Sequence, residues 1–370
     1  MKNPIYIQDF ASVTPLGNAG FLSQKSAIKK RLDDFYAPFP AVIEEELQEL
    51  RKECKSYKNL DKATLLAIKT ARLLVISDEK AAINIGSSRG ATHSWEENHG
   101  RFRESGTLKV QTSPLTTLGN ISSWVAQDLG LKGVAFSHSI TCATASHAIL
   151  NAIAWLESGM ATTFIAGGVE TPLTDFTLAQ MKAMKITVTE RSPFLCRALD
   201  IEKEHNTMAL GEAAALFVLS KKKTKQQQLT ITGYGTAIET ITTATSVTET
   251  GDCLLEAMQN CLEHVALDSI DAIITHAPGT INGDKAELHA IKTLFKEQVP
   301  FLCNNKWQLG HSLGASGAVS LAMAAWMLES GCYPEIPYLT QQAPSRKPAR
   351  ILINATGFGG NAVSLLLEKS

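Results

Sequence analysis

Ser137-His138-Ser139-Ile140-Thr141-Cys142-Ala143-Thr144-Ala145-Ser146-His147-Ala148 places a thiol where a strand-like run gives way to an alanine-rich helical run. A nucleophile belongs at such a junction. The unpaired N–H groups and positive dipole end of a helix start favour thiolate over thiol, and the same amides can donate to an oxyanion forming beside the sulfur. The competing reading is a buried structural cysteine, the commoner fate of a free thiol. The helical run ends in Ala154-Trp155-Leu156-Glu157-Ser158-Gly159. Further along, Ala315-Ser316-Gly317-Ala318 ends in Ala325-Trp326-Met327-Leu328-Glu329-Ser330-Gly331, the same pattern with a two-residue slip. Both are small-residue runs closed by glycine, which predicts two helices approaching closely in one buried layer. Chance similarity between alanine-rich helices is the alternative.

A second echo supports duplication. Ile5-Tyr6-Ile7-Gln8-Asp9-Phe10 opens the chain as a strand, and Leu229-Thr230-Ile231-Thr232-Gly233-Tyr234-Gly235 opens the second part just after the lysine- and glutamine-rich stretch 221–228. Between these markers, short β-branched runs at 82–85, 163–166, 272–275 and 350–354 alternate with helix-length segments, which predicts an α/β protein with buried sheets. The predicted division is residues 1–225, carrying the nucleophile, and residues 226–370, carrying two histidines described below.

Composition narrows the function classes. The chain has 370 residues, 44% hydrophobic and 19% charged, with a net charge of -1, enough to bury a large core and too neutral for a nucleic-acid-binding surface. The basic run 221–225 reads as a solvated linker. Seven cysteines form no CxxC pair and no zinc-spaced cysteine/histidine cluster, which argues against a disulfide framework and a metal site. There is no apolar run long enough to span a membrane, and Met1-Lys2-Asn3-Pro4 leads into a strand rather than a signal segment, so a cytoplasmic protein is expected.

The second half contributes imidazoles. In Ile273-Ile274-Thr275-His276-Ala277-Pro278-Gly279-Thr280, an apolar strand ends at His276 and turns, putting the ring at a strand's C-terminal edge, where α/β proteins collect ligands. In Asn304-Asn305-Lys306-Trp307-Gln308-Leu309-Gly310-His311, a second ring precedes the helix that echoes the cysteine helix. Near the C-terminus, Asn354-Ala355-Thr356-Gly357-Phe358-Gly359-Gly360-Asn361 is a glycine-rich turn after a strand, where backbone can approach a ligand. Singly, each histidine is more often structural, and the turn reads equally well as a plain hairpin.

Together these blocks resemble the β-ketoacyl synthases, the elongating condensing enzymes of fatty-acid and polyketide assembly, over nearly the whole chain. The resemblance implies a thiolase-like α/β fold with duplicated halves packed as αβαβα layers. It implies a Cys142, His276, His311 catalytic set supported by Lys306 and Glu287, with Phe358 as the gating aromatic and Gly357 beside it. Thr280 would hold a phosphopantetheine arm, and Met208 would form a pocket wall where relatives carry an aromatic residue. The implied reaction is decarboxylative condensation of a malonyl thioester with an acyl group on Cys142. It requires no metal and no cofactor beyond the phosphopantetheine of an acyl carrier protein. The implied assembly is a dimer, of identical chains or with a related synthase or chain-length factor, with no membrane or nucleic-acid partner.

The chain departs from the family pattern at Ala277 and Pro278, which leave one of two arm-binding threonines, and in trimmed loops around 20–60 and 185–225. Such trimming resembles the short forms of aryl polyene or flexirubin-type pathways. Two other readings compete. A non-catalytic partner of the chain-length-factor kind would usually lack the cysteine, and a thiolase acting on coenzyme A thioesters would show a second reactive cysteine in a Cys-x-Gly context, which Cys303 and Cys332 do not provide.

Overall fold

The computed structural model describes residues 3–369 apart from 18–20, 22, 24, 32–33, 190–191, 224–227 and 244–246. Ten of its strands form one continuous sheet. Those of the first half are β1 (Ile5–Val13), β2 (Ala82–Gly86), β3 (Ala135–Phe136), β4 (Thr163–Glu170) and β5 (Ala213–Ser220). Those of the second are β6 (Leu229–Ile238), β7 (Ala272–Ile274), β8 (Phe301–Cys303), β9 (Arg350–Gly357) and β10 (Asn361–Lys369). The order is β3-β2-β4-β5-β1 joined to β6-β10-β9-β7-β8. Each strand of the first half thus has its counterpart five numbers on, with the same neighbours and the same mixture of parallel and antiparallel pairs. Within this sheet the halves join at two register positions, Ile5 with Ile231 and Tyr6 with Thr230. The boundary expected at 225/226 lies outside the described residues; the chain crosses between the end of β5 and the start of β6.

Alternation along the strands builds the layers, because successive side chains point to opposite faces. On β5, Ala213, Ala215, Phe217 and Leu219 join the central core while Ala214, Leu216 and Val218 join an outer one. With both faces covered, the strand reads as an unbroken apolar run. Six helices supply the covers: α1 (Lys62–Ala71), α2 (Asn120–Asp128), α3 (Thr144–Glu157), α4 (Asp252–Cys261), α5 (Ile281–Phe295) and α6 (Ser316–Ser330). Helices α1 and α2 pack outside the first half, and α4 and α5 outside the second. Between the halves lie α3 and α6, whose residues share one core with Phe164, Phe217, Ile274, Ile353 and Leu365. The result is helix, sheet, helix, sheet, helix.

The two echoing helices are those central ones, and small residues let them cross. A Cβ on Gly317 would fall 2.0 Å from Ser146 Oγ, and one on Gly168 would fall 2.7 Å from Ala145 Cβ. Nearly every residue of α6 from Ser316 to Leu328 is buried, so it is apolar all round rather than amphipathic. The helix starts of α3 and α6 therefore open together at one end of the central layer.

Candidate active site

Cys142 stands two residues before α3. The preceding residue, Thr141, has a φ of +44°, a left-handed conformation costly for a β-branched side chain. Local hydrogen bonds hold the bend: the Ile140 N–H donates to Thr144 Oγ1 at 2.8 Å, and that hydroxyl donates to the Thr141 carbonyl at 2.6 Å. Across from it, the turn after β9 comes into contact. The Thr141 hydroxyl donates to the Phe358 carbonyl at 3.0 Å. A Cβ on Gly357 would lie 2.1 Å from Thr141 Oγ1 and 2.8 Å from the Cys142 nitrogen, so only glycine lets this backbone approach.

His276 follows β7 by two residues and is held through its backbone. Glu287 of α5 accepts from the His276 N–H at 2.9 Å, the Ala277 N–H at 2.6 Å and Asn354 Nδ2 at 3.1 Å. His311 precedes α6, and its backbone is held by the first half: its N–H donates to the Ala209 carbonyl at 2.6 Å and its carbonyl accepts from Gly211 N–H at 3.1 Å. The imidazoles meet edge to face, with ring centroids 5.1 Å apart and planes at 81°. Both Nδ1 atoms are buried without a partner. A proton sealed at Nδ1 would have no acceptor, so the proton belongs on Nε2.

The two supporting charges act in different ways, Glu287 through the backbone of His276 and Lys306 at a distance. Lys306 is buried with no hydrogen-bond partner at Nζ, so it does not orient a ring by hydrogen bonding. Its influence is electrostatic. Burial, aided by the nearby ammonium, pushes His311 down to about 3 and His276 well below its ordinary value, so both rings are neutral at pH 7. Burial also pushes Lys306 itself down to about 8 against the pull of Glu287, and pushes the Glu287 carboxyl up. At Cys142 burial likewise wins over the helix start: the thiol is pushed up to about 12, with Glu170 adding to the rise and Lys306 opposing it. Burial thus favours the thiol at rest and opposes the thiolate that the helix start favours.

These side chains share a cavity of about 690 Å³. Cys142, His276, His311, Met208, Gly357, Phe358 and Thr280 all line it, whereas Lys306 and Glu287 lie behind the wall. Its lining includes the buried apolar side chains of Met181, Met208 and Leu313, the half-buried Met184 and Thr280, and the exposed Asn282 and Glu249. The Thr280 hydroxyl also caps α5, accepting from the Gly283 N–H at 3.2 Å. Two features escaped the sequence reading. Lys203 and Asp284 form a buried ion pair at 2.7 Å, and Asp284 also accepts from Gly279 N–H at 3.0 Å, fixing the loop that follows His276. Glu170, at the end of β4, is fully buried. The only signal for it was a carboxylate closing an apolar strand.

Duplicated halves with a cysteine and two neutral imidazoles lining one cavity define a protein of thiolase-like fold. Residues 25–225 match the family description "Beta-ketoacyl synthase, N-terminal domain", and residues 229–339 match "Beta-ketoacyl synthase, C-terminal domain". The chain belongs to the β-ketoacyl synthase family. It is 25% identical over 410 aligned positions to 3-oxoacyl-[acyl-carrier-protein] synthase 2 of Staphylococcus aureus (strain N315), covering 99% of this chain and 98% of that protein. Among solved structures, the ishigamide ketosynthase/chain length factor superposes with a TM-score of 0.84 at 18% identity, covering 100% of both chains. A type II polyketide synthase acyl-carrier protein in complex with its ketosynthase bound to the hexaketide superposes at 0.85 with 16% identity, again over 100% of both. At these identities the structural matches speak to the fold.

Proposed function

We propose that the protein is a 3-oxoacyl-[acyl-carrier-protein] synthase that extends an acyl chain held on Cys142. The observation that carries this reading is the meeting of Cys142 with two neutral, edge-to-face imidazoles on one cavity. In the first half-reaction the Cys142 sulfur attacks the acyl thioester carbonyl, the carrier thiolate leaves, and the thiol proton goes to it. The oxyanion accepts from the backbone N–H groups of Cys142 and Phe358, a pairing supported by the close approach of Gly357 to the Cys142 nitrogen. In the second, His276 and His311 donate Nε2–H bonds to the malonyl thioester carbonyl. The carbon–carboxylate bond breaks, carbon dioxide leaves, and the electron pair becomes an enolate that neutral donors stabilise without trapping it as an ion pair. The enolate carbon attacks the acyl carbonyl, Cys142 is expelled as thiolate, and a proton from water returns it to the thiol.

The remaining parts have assigned roles. Met208 forms the acyl pocket wall, Phe358 gates the two half-reactions, and Thr280 meets the phosphopantetheine arm, with no other cofactor required. The partner is an acyl carrier protein, as in the solved ketosynthase complex. The chain pairs with a second copy or a related subunit through the sheet edge at β3. Its seven cysteines, all free thiols, suit the cytoplasm. The alternative of a non-catalytic partner subunit is not favoured, because the complete set of reacting groups converges on the cavity.

Intact-protein mass spectrometry after incubation with a panel of acyl carrier-protein thioesters and malonyl carrier protein tests this reading. The expected result is an acyl adduct on the native chain, absent in Cys142→Ala, followed by a product longer by two carbons. No adduct with any primer, with or without a related subunit, would overturn it.

A further inference from the structure

Glu170 is a carboxylate with no solvent exposure whose hydrogen bonds all come from neutral donors. It accepts from the hydroxyls of Ser87 and Ser88, from the Arg89 N–H at 3.1 Å and, through Oε2, from the Gly314 N–H at 3.1 Å. The Arg89 guanidinium points elsewhere, to Thr177 and Gln180. A buried carboxyl without a cation is costly to keep, and burial pushes it up against the pull of these hydrogen bonds. Its place in the fold gives that cost a use. The serines and Arg89 follow β2 and Glu170 ends β4, all in the first half with Cys142; Gly314 belongs to the second half, three residues beyond His311.

The contact at Gly314 is tight and singular. A Cβ there would fall 2.6 Å from the Ser88 nitrogen, and Ser88 Oγ lies 3.3 Å from the Gly314 nitrogen as a second acceptor. The residue between, Leu313, has a φ of +40°, an unfavourable conformation for leucine that neighbours must hold. Leu313 lines the cavity and packs in the cluster that touches Cys142. On its other side, His311 is pinned at Ala209 and Gly211. The segment from His311 to Gly314 is thus clamped at both ends by the half that carries the nucleophile.

We infer that Glu170 is a positioning residue for the condensation site: by anchoring the Leu313–Gly314 turn to the first half, it sets His311 and the apolar wall at Leu313 in register with Cys142. The inference rests on the synthase reading above. Displacement of about 1 Å at a reacting group can cost on the order of 10²-fold in rate, and Glu170 is the residue placed to prevent it.

The test compares Glu170→Gln and Glu170→Ala with the native chain in three measurements: thermal midpoint, acyl-adduct formation on Cys142, and decarboxylation of malonyl carrier protein. Glu170→Gln keeps an oxygen for the Gly314 N–H, while Glu170→Ala removes it. The expected result is a loss of decarboxylation on the order of 10²-fold in Glu170→Ala, with a smaller loss in adduct formation, and recovery of most of the rate in Glu170→Gln. Two results would overturn the inference. One is decarboxylation per folded site unchanged in Glu170→Ala; the other is an equal loss in both variants, which would assign the effect to charge rather than to the anchor. If the native chain itself forms no adduct, the synthase reading fails first, and the thermal data alone would then report on Glu170 as a structural residue.

Discussion

At Cys142 two physical effects oppose each other, and their magnitudes decide the resting chemistry. A helix start offers about half a positive charge over one turn, whereas burial in an apolar cluster with a carboxylate nearby pushes the thiol up to about 12. Alkylation by the neutral reagent iodoacetamide requires thiolate. The rate at Cys142 is therefore expected to rise about tenfold per pH unit from pH 7 to about pH 10 without levelling. A plateau near neutrality, followed by mass spectrometry of the modified residue, would show that the helix start and Lys306 prevail. The cysteine and both histidines were legible in the sequence because each sits at a break between patterns: strand to helix, strand to turn, turn to helix. Their ionisation was not legible. It depends on how much protein surrounds each group, and on Lys306 and Glu287 reaching the site from separate elements behind the cavity wall.

At the scale of elements, the echo between residues 145–159 and 315–331 predicts two small-residue helices in one buried layer, and Gly317 meets Ser146 where those helices pack. The prediction is specific to one pair. Gly317→Ala places a methyl 2.0 Å from Ser146 Oγ, and overpacking of this kind costs about 1–3 kcal/mol. Ser146→Ala removes the oxygen, so the double variant should recover part of the loss, giving a coupling energy of about 1 kcal/mol in a double-mutant cycle by urea unfolding. Additive effects would mean that the helices part freely and that Ser146 is not what Gly317 avoids. The same scale explains what the sequence hid. Glu170 ends a strand whose neighbours Ser87 and Gly314 are distant in sequence, and no periodicity or spacing announces an acceptor that two separate loops share. Lys203 and Asp284 pair across another such gap.

For the whole molecule, duplication leaves two matching sheet edges, and the chain treats them differently. At β8 the side chain of Gln341 completes the edge, with Leu302 N–H donating to Oε1 at 3.1 Å and Nε2 donating to the Leu302 carbonyl at 3.2 Å. At β3 the Ile83 N–H donates to the Val134 carbonyl at 2.9 Å, so the alternation of a parallel ladder turns the Ala135 N–H outward. Beside this edge, His147, Asn151 and Trp155 form one half-buried stripe of α3, with Trp155 packed on Phe136 at 5.6 Å. His147 Nε2 and Asn151 Oδ1 are buried without partners. Unpaired strand edges are normally blunted, and this one suits a second strand. Ala135→Pro keeps the bonds to β2 but removes the outward donor and leaves its acceptor unmatched, at a cost of about 1–3 kcal/mol, or on the order of 10- to 10²-fold in dissociation constant. Light scattering should find the native chain dimeric and Ala135→Pro monomeric at the same concentration, with an unchanged far-ultraviolet spectrum. A native chain that dimerises only after a related subunit is added would assign the edge to a heterodimer. A variant with the same dissociation constant as the native chain, measured by dilution, would remove β3 from the interface, because pairing through that edge cannot lose its donor and gain a ring without weakening.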